Sequence, residues 1–189
     1  MVDADHRHPK YLHPLRNCVR SNCKGLGHNM SRLDIFISRM IAQRDILNYI
    51  QANGLLPAAG AVLEVGLGNG RSYSHLRELF PNRRIIAFDR HLGAHRTILP
   101  EPEDFVMGEI RETAAGFIGF DAALAHADIG TGYPEKDAII ITWLPELMAG
   151  MLISGGIAVS GLPLDHPHLR PLPRLPSVAE GRYFFYQRA

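Results

Sequence analysis

The sequence predicts an α/β fold built on one doubly wound, mostly parallel sheet with helices on both faces. Two observations carry this prediction. From Ser31 onward, short apolar runs of strand length alternate with stretches of helical spacing, a pattern that requires right-handed crossovers and parallel pairing. Four successive strands then end in a glycine turn or a carboxylate, at Gly66-Leu67-Gly68-Asn69-Gly70, Asp89, Met107-Gly108-Glu109 and His126-Ala127-Asp128. Ligands of open parallel sheets bind outside the carboxyl ends of the strands, so these four ends mark one edge as a binding site.

Residues 1–30 show no sustained periodicity and contain Pro9, Pro14, Gly25 and Gly27. They read as a partly ordered tail with one short helix at most, followed by a single domain over 31–189. Cys18 and Cys23, near His6, His8, His13 and His28, lack the paired Cys-x-x-Cys knuckles of a zinc site, so no metal is expected. Ser31-x-x-Asp34 has the form of a capping box. Leu33, Phe36, Ile37, Met40, Ile41 and Leu47 then follow at helical spacing up to the Asn53-Gly54 stop.

Residues 61–65 form the first strand, and 71–79 a helix that stops before Pro81. Strands at 84–88 and 104–107 flank an irregular stretch reaching Pro100, and a helix is expected over 109–118. A strand at 122–127 leads to a helix over 134–150 with proline in its first turn. Residues 152–160 form a strand interrupted at Gly155-Gly156. Prolines at 163, 167, 171, 173 and 176 exclude a helix from the next connection. The aromatic run "GRYFFYQR" reads as a last strand buried on both faces.

Hydrophobic content of 46% and a formal net charge of +1 are ordinary for a globular chain and give no reason to expect a nucleic acid or a membrane as partner. No apolar run approaches the roughly 18–20 residues that span a bilayer. The first residues lack the apolar core of a signal peptide, so the expected location is cytoplasmic.

The glycine turn narrows the ligand. Dinucleotide sites use G-x-G-x-x-G. Here the spacing is G-x-G-x-G, with Arg71 where the third glycine would stand and Glu64 two residues before the first. A carboxylate there opposes a phosphate but suits a cationic ammonium. A ligand with an amino-acid ammonium at one end and a ribose at the other fits, as S-adenosylmethionine does.

"LEVGLGNG", "IIAFDR" and "MGE" resemble the first three motifs of the class I S-adenosylmethionine-dependent methyltransferases, which are Rossmann-like. The chain over about 31–189 resembles more particularly a small bacterial family without an established substrate. The resemblance implies an antiparallel last strand and S-adenosyl-L-methionine as cofactor. It implies that Gly66, Leu67, Gly68, Asn69 and Gly70 let the backbone touch the cofactor, with Glu64 orienting the loop. It further implies that Asp89, followed by Arg90, accepts from the ribose hydroxyls, that Gly108, Glu109 and Ile110 lie along the adenine, and that Asp128 sits near the sulfonium.

The chain departs from that family where the prolines replace the helix before the last hairpin, leaving the sixth strand short or missing. No Asn-Pro-Pro-Tyr or Pro-Cys signature follows the fourth strand, which argues against nucleic-acid base methylation. A base is needed only if the acceptor must lose a proton, and Asp128 or His126 is placed for that; His126 also reads as a satisfied core histidine. The expected partner is a small-molecule acceptor, recognised by residues 1–50, the 129–135 loop and the proline loop, and a homodimer stays open. Arg32 and Arg39 share a helix face that suits an acidic substrate or simply water. A non-catalytic S-adenosylmethionine-binding module is the alternative reading, and the glycine spacing disfavours an NAD-dependent oxidoreductase.

Overall fold

The computed structural model describes residues 30–189, and the expectations for the tail before them, including its cysteines and histidines, lie outside the described residues. The strands are β1 (Val62–Val65), β2 (Ile85–Asp89), β3 (Phe105–Met107), β4 (Ala122–Ala127), β5 (Leu152–Ser160), β6 (Leu169–Pro171) and β7 (Phe184–Arg188). They form one seven-stranded sheet in the order β3-β2-β1-β4-β5-β7-β6. β1 to β5 pair in parallel, and β7 runs antiparallel to both β5 and β6. The helices are α1 (Arg32–Ala52), α2 (Arg71–Leu79), α3 (Ile110–Thr113), α4 (Pro134–Ile141) and α5 (Leu144–Met151). The sheet and its antiparallel last strand are those predicted, and the doubtful sixth strand is present as three residues.

β1 and β4 are buried at every position, as strands covered on both faces must be. Alternate residues serve opposite layers. Leu63 and Val65 pack with Phe88, Met148 and Leu152 in one core, while Val62 packs with Ile46, Ile50, Leu76 and Ile157 in the other. Phe88 is wholly buried and meets Phe117 edge-on at 4.8 Å between ring centroids. Truncating such a residue to alanine costs about 3–5 kcal/mol.

The capping box forms as expected: Ser31 Oγ accepts from the Asp34 amide at 3.0 Å, and an Asp34 carboxylate oxygen accepts from the Ser31 amide at 3.2 Å. The buried face of α1, however, is Ala42, Gln43, Ile46, Leu47 and Ile50. Of the apolar stripe read from the sequence, Leu33, Phe36, Ile37 and Ile41 are exposed. Among the described residues, α1 joins the core only from Ala42 onward, so the side chains of its first half lie outside that packed layer.

Three expected elements change form. The helix expected over 109–118 is four residues of α3 followed by a 3-10 turn at Ala114–Phe117, because Gly116 and Gly119 weaken a longer helix. The helix expected over 134–150 divides at Thr142-Trp143 into α4 and α5. Pro145 lacks an amide hydrogen and clashes with the carbonyl four residues earlier, so it starts a helix here instead of continuing one. β5 is continuous through Gly155-Gly156, but its register on β4 jumps from Ala122↔Leu152 to Leu124↔Ile157. The glycines accommodate a bulge rather than a break.

Candidate functional site

The strand order reverses between β1 and β4, whose carboxyl ends carry the turn 66–70 and Asp128. Such a switch point opens a crevice. The Gly66 and Leu67 amides both donate to the Phe88 carbonyl, at 2.9 and 3.0 Å. The Gly68 amide donates to Asp89 Oδ2 at 2.7 Å, and Asp89 Oδ1 accepts from the Arg90 amide at 2.7 Å. Asp89 therefore braces the glycine turn, a role additional to the one expected for it. Gly68 has φ +52°, and a Cβ built on it would meet no atom of the described residues within 4 Å. The space above the turn is open. Leu67 is buried in the core, so it offers the crevice only its backbone. The Asn69 amide oxygen, in the orientation its surroundings favour, accepts from the Arg71 guanidinium at 2.8 and 3.0 Å.

At the β3 side, the Gly108 amide donates to the Asp89 carbonyl at 2.9 Å. Glu109 pairs with Arg90 at 2.8 Å, and both side chains are more than half exposed. Ile110 opens α3 beside them.

Behind the turn lies a buried polar chain. Glu64 accepts from the Ser72 hydroxyl of α2 and lies 2.6 Å from His126 Nδ1, and His126 Nε2 lies 2.8 Å from the Tyr183 hydroxyl. Glu64 and His126 have no exposed surface, and Tyr183 is buried. Both oxygens of Glu64 are engaged behind the loop, so its carboxylate bears on an ammonium only indirectly, through the loop it holds. His126 likewise presents no open face, because β4 is covered on both sides, and both its ring nitrogens are occupied. Burial pulls the His126 pKa down, but the charge and hydrogen bond of Glu64, aided by Asp128, outweigh it and raise the value overall. Burial, with the charges of Asp128 and Glu64, pushes the Tyr183 hydroxyl well above its ordinary range. It stays protonated.

Two cavities meet at Asp128. The smaller, about 230 Å³, lies over the glycine turn and is lined by Arg39, Gln43, Gly66, Gly68, Ser72 and Asp128 among others. The larger, about 590 Å³, is lined in part by Arg32, Phe36, Arg39, Asp128, Leu162 and Arg182. Arg39 stands 3.8 Å from Asp128, whose side chain is 16% exposed. Phe36 lies beneath two guanidinium groups, with Arg39 at 5.9 Å and Arg71 at 5.4 Å from its ring centroid. The first half of α1 thus forms a shared wall of both cavities. Among the described residues, no cluster of three or more metal-ligating side chains occurs, and no helix is long and apolar enough to cross a membrane.

Residues 30–188 match the family model described as S-adenosyl-L-methionine methyltransferase. The chain belongs to this family. A solved S-adenosyl-L-methionine methyltransferase from Silicibacter pomeroyi DSS-3 is 36% identical with a TM-score of 0.76, over 85% of this chain and 100% of that one. The magnesium protoporphyrin IX methyltransferase of Synechocystis PCC 6803, solved with its cofactor bound, shares the fold at 14% identity and a TM-score of 0.59, over 87% of each chain. A probable spermidine synthase from Corynebacterium glutamicum shares it at 14% identity and 0.53, over 81% of this chain and 63% of that one. No match was found among curated proteins.

The methyltransferase fold and the residues at its crevice fit S-adenosyl-L-methionine. The open volume at Gly68 accepts a ligand where a side chain would stand. Gln43 Nε2 and Arg39 Nε are buried without a hydrogen-bond partner among the described residues, and both residues line the smaller cavity. Donors of this kind suit a carboxylate. Asp89 Oδ1 accepts from the Arg90 and His91 amides, whereas Oδ2, with the Gly68 amide as its partner among the described residues, keeps a lone pair for a further donor such as a ribose hydroxyl. Gln43 and Tyr183 escaped the sequence reading. A signal for Gln43 was present, since it is the polar residue in the stripe Gln43, Ile46, Leu47, Ile50 at helical spacing.

Proposed function

We propose that this methyltransferase acts on a small-molecule acceptor, with the cofactor along the carboxyl ends of β1 to β3 and the acceptor in the larger cavity. The observation that carries this reading is the meeting of the two cavities at Asp128 and Arg39, which brings a donor and an acceptor to one carboxylate. When bound, S-adenosyl-L-methionine supplies an electrophilic methyl whose bonding pair stays on sulfur as the acceptor's lone pair forms the new bond.

The protein's part is positioning and exclusion of water. The backbone of 66–70 and the donors of Gln43 and Arg39 hold the methionine portion. Asp89 holds the ribose, and 108–110 line the adenine. Glu64 and His126 fix the loop from behind through Ser72 and Tyr183. Asp128 is the group that reaches the junction, and it takes the proton when the acceptor must lose one. A histidine enclosed as His126 is does not meet the acceptor, so its role is to position rather than to exchange the proton. α1 supplies the wall over the edge, as the described part of the 1–50 segment expected to recognise the acceptor.

The test is S-adenosylhomocysteine formation by the full chain over a panel of small acceptors, with Asp128→Asn compared. Turnover of at least one acceptor, lowered in the variant by more than any loss of cofactor affinity, is the expected result. Binding without turnover across the panel would leave a cofactor-binding module instead.

A further inference from the structure

We propose that the larger cavity takes an acceptor bearing an anionic group, a carboxylate or a phosphate ester, held by Arg32 and Arg182 while its nucleophilic atom faces Asp128. This rests on the methyl-transfer reading above and names the substrate class for it.

The charge balance of the cavity is the first argument. Its lining includes the guanidinium groups of Arg32, Arg39 and Arg182 and the carboxylates of Asp128 and Asp137. Asp137 is committed to its own loop: one of its oxygens accepts from the Thr131 amide at 2.7 Å and the Thr131 hydroxyl at 2.8 Å, the other from the Gly132 amide at 3.1 Å. Asp128 faces Arg39. Among the described residues, neither Arg32 nor Arg182 has a carboxylate within ion-pair distance. Arg182 Nε is also buried without a hydrogen-bond partner among the described residues. A buried guanidinium nitrogen left unpaired is uncommon in folded proteins unless a ligand or water completes it, and the planar fork of arginine matches a carboxylate or phosphate with two parallel bonds.

The shape of the cavity is the second. Its volume of about 590 Å³ falls in the usual small-molecule range of about 300–1,000 Å³. Ile35, Phe36, Tyr133 and Leu162 give it apolar and aromatic wall, suited to the carbon body of such an acid. Arg32 and Arg39 come from α1, and Arg182 from the turn before β7. The anion is therefore gripped from two elements while Asp128 marks the end nearest the glycine turn.

The experiment titrates benzoate, phenyl phosphate and benzamide into the full chain saturated with S-adenosylhomocysteine, by calorimetry. At least one anion should bind, with benzamide, the neutral isostere of benzoate, at least tenfold weaker than benzoate or not detectable. Arg32→Gln and Arg182→Gln should each weaken the anion about fivefold or more, with S-adenosylhomocysteine affinity unchanged and Arg182→Lys recovering part of the loss. Thermal denaturation with S-adenosylhomocysteine bound verifies that each variant is folded. Equal binding of benzoate and benzamide, no binding by either anion, or folded glutamine variants that bind as wild type would each overturn the proposal. Failure of the wild-type chain to bind S-adenosylhomocysteine would instead strike the methyl-transfer reading beneath it.

Discussion

Two glycines separate what the turn requires for folding from what it requires for the cofactor. Gly68 and Gly54 have nearly the same left-handed backbone, with φ +52° and +59°, and a Cβ on either would meet no atom of the described residues within 4 Å. Substituting alanine should therefore cost both sites only backbone strain, roughly 1–2 kcal/mol for an L-residue held in that region. For a domain of this size each kcal/mol lowers Tm by about 2–4 °C, so both variants should melt about 2–8 °C below wild type. Their binding should differ. Gly54 lies between α1 and the amino end of β1 and lines neither cavity, whereas Gly68 lines the smaller one. Gly68→Ala should weaken S-adenosyl-L-methionine by at least about tenfold, or 1.4 kcal/mol, and Gly54→Ala should leave it unchanged. The assay is calorimetric titration paired with thermal denaturation. Equal affinities in two variants of equal stability would refute the reasoning, since the glycine at 68 would then serve the chain and not a ligand.

Asp89→Ala should weaken cofactor binding by about 1.5–3 kcal/mol, the range for charged hydrogen bonds. A variant that binds as wild type by calorimetry would remove Asp89 from the site. Gln43→Leu should reduce cofactor affinity by about 0.5–1.5 kcal/mol while leaving Tm within a few degrees of wild type, because it deletes a buried donor that has no partner before binding. A loss of stability without loss of affinity would make Gln43 structural. The buried histidine predicts a pH dependence. Because its folded pKa is raised above the ordinary value of about 6.5, its contribution to stability is complete below about pH 6.5 and is lost as pH rises through the folded value. Urea midpoints of wild type should therefore fall relative to those of His126→Gln on going from pH 6 to pH 9, taken as about half a unit below and a few above that reference. Parallel profiles would show that the Glu64–His126 pair carries no net proton linkage.

The sheet was legible because strands buried on both faces are mainly apolar, and β1, β2 and β4 are, with Glu64, Asp89 and His126 as their polar exceptions. The turn 66–70 was legible because alternating glycines after such a strand have few structural uses. What stayed hidden depends on partners distant in the chain. The His126–Tyr183 contact spans 57 positions, and a tyrosine in an aromatic strand gives no sign of where its hydroxyl points. Glu64 shows the same limit, since its carboxylate was visible but its engagement by Ser72 and His126 was not. The divided helix at Pro145 is different. The proline was in plain view, and local chemistry overrode the apolar periodicity on either side of it. In α1 the spacing was right and Leu47 is buried as expected, but the rest of the buried face differs, because among the described residues only the second half has a layer to pack on.

The most direct measurement is amide hydrogen exchange of the full chain with and without S-adenosylhomocysteine. Added protection is expected at residues 66–70 and 108–110, and at 128–132 where the two cavities join, with little change at the amino edge around Gly54. Protection confined to other segments, or none at saturating ligand, would contradict a cofactor site at the carboxyl ends of β1, β2, β3 and β4.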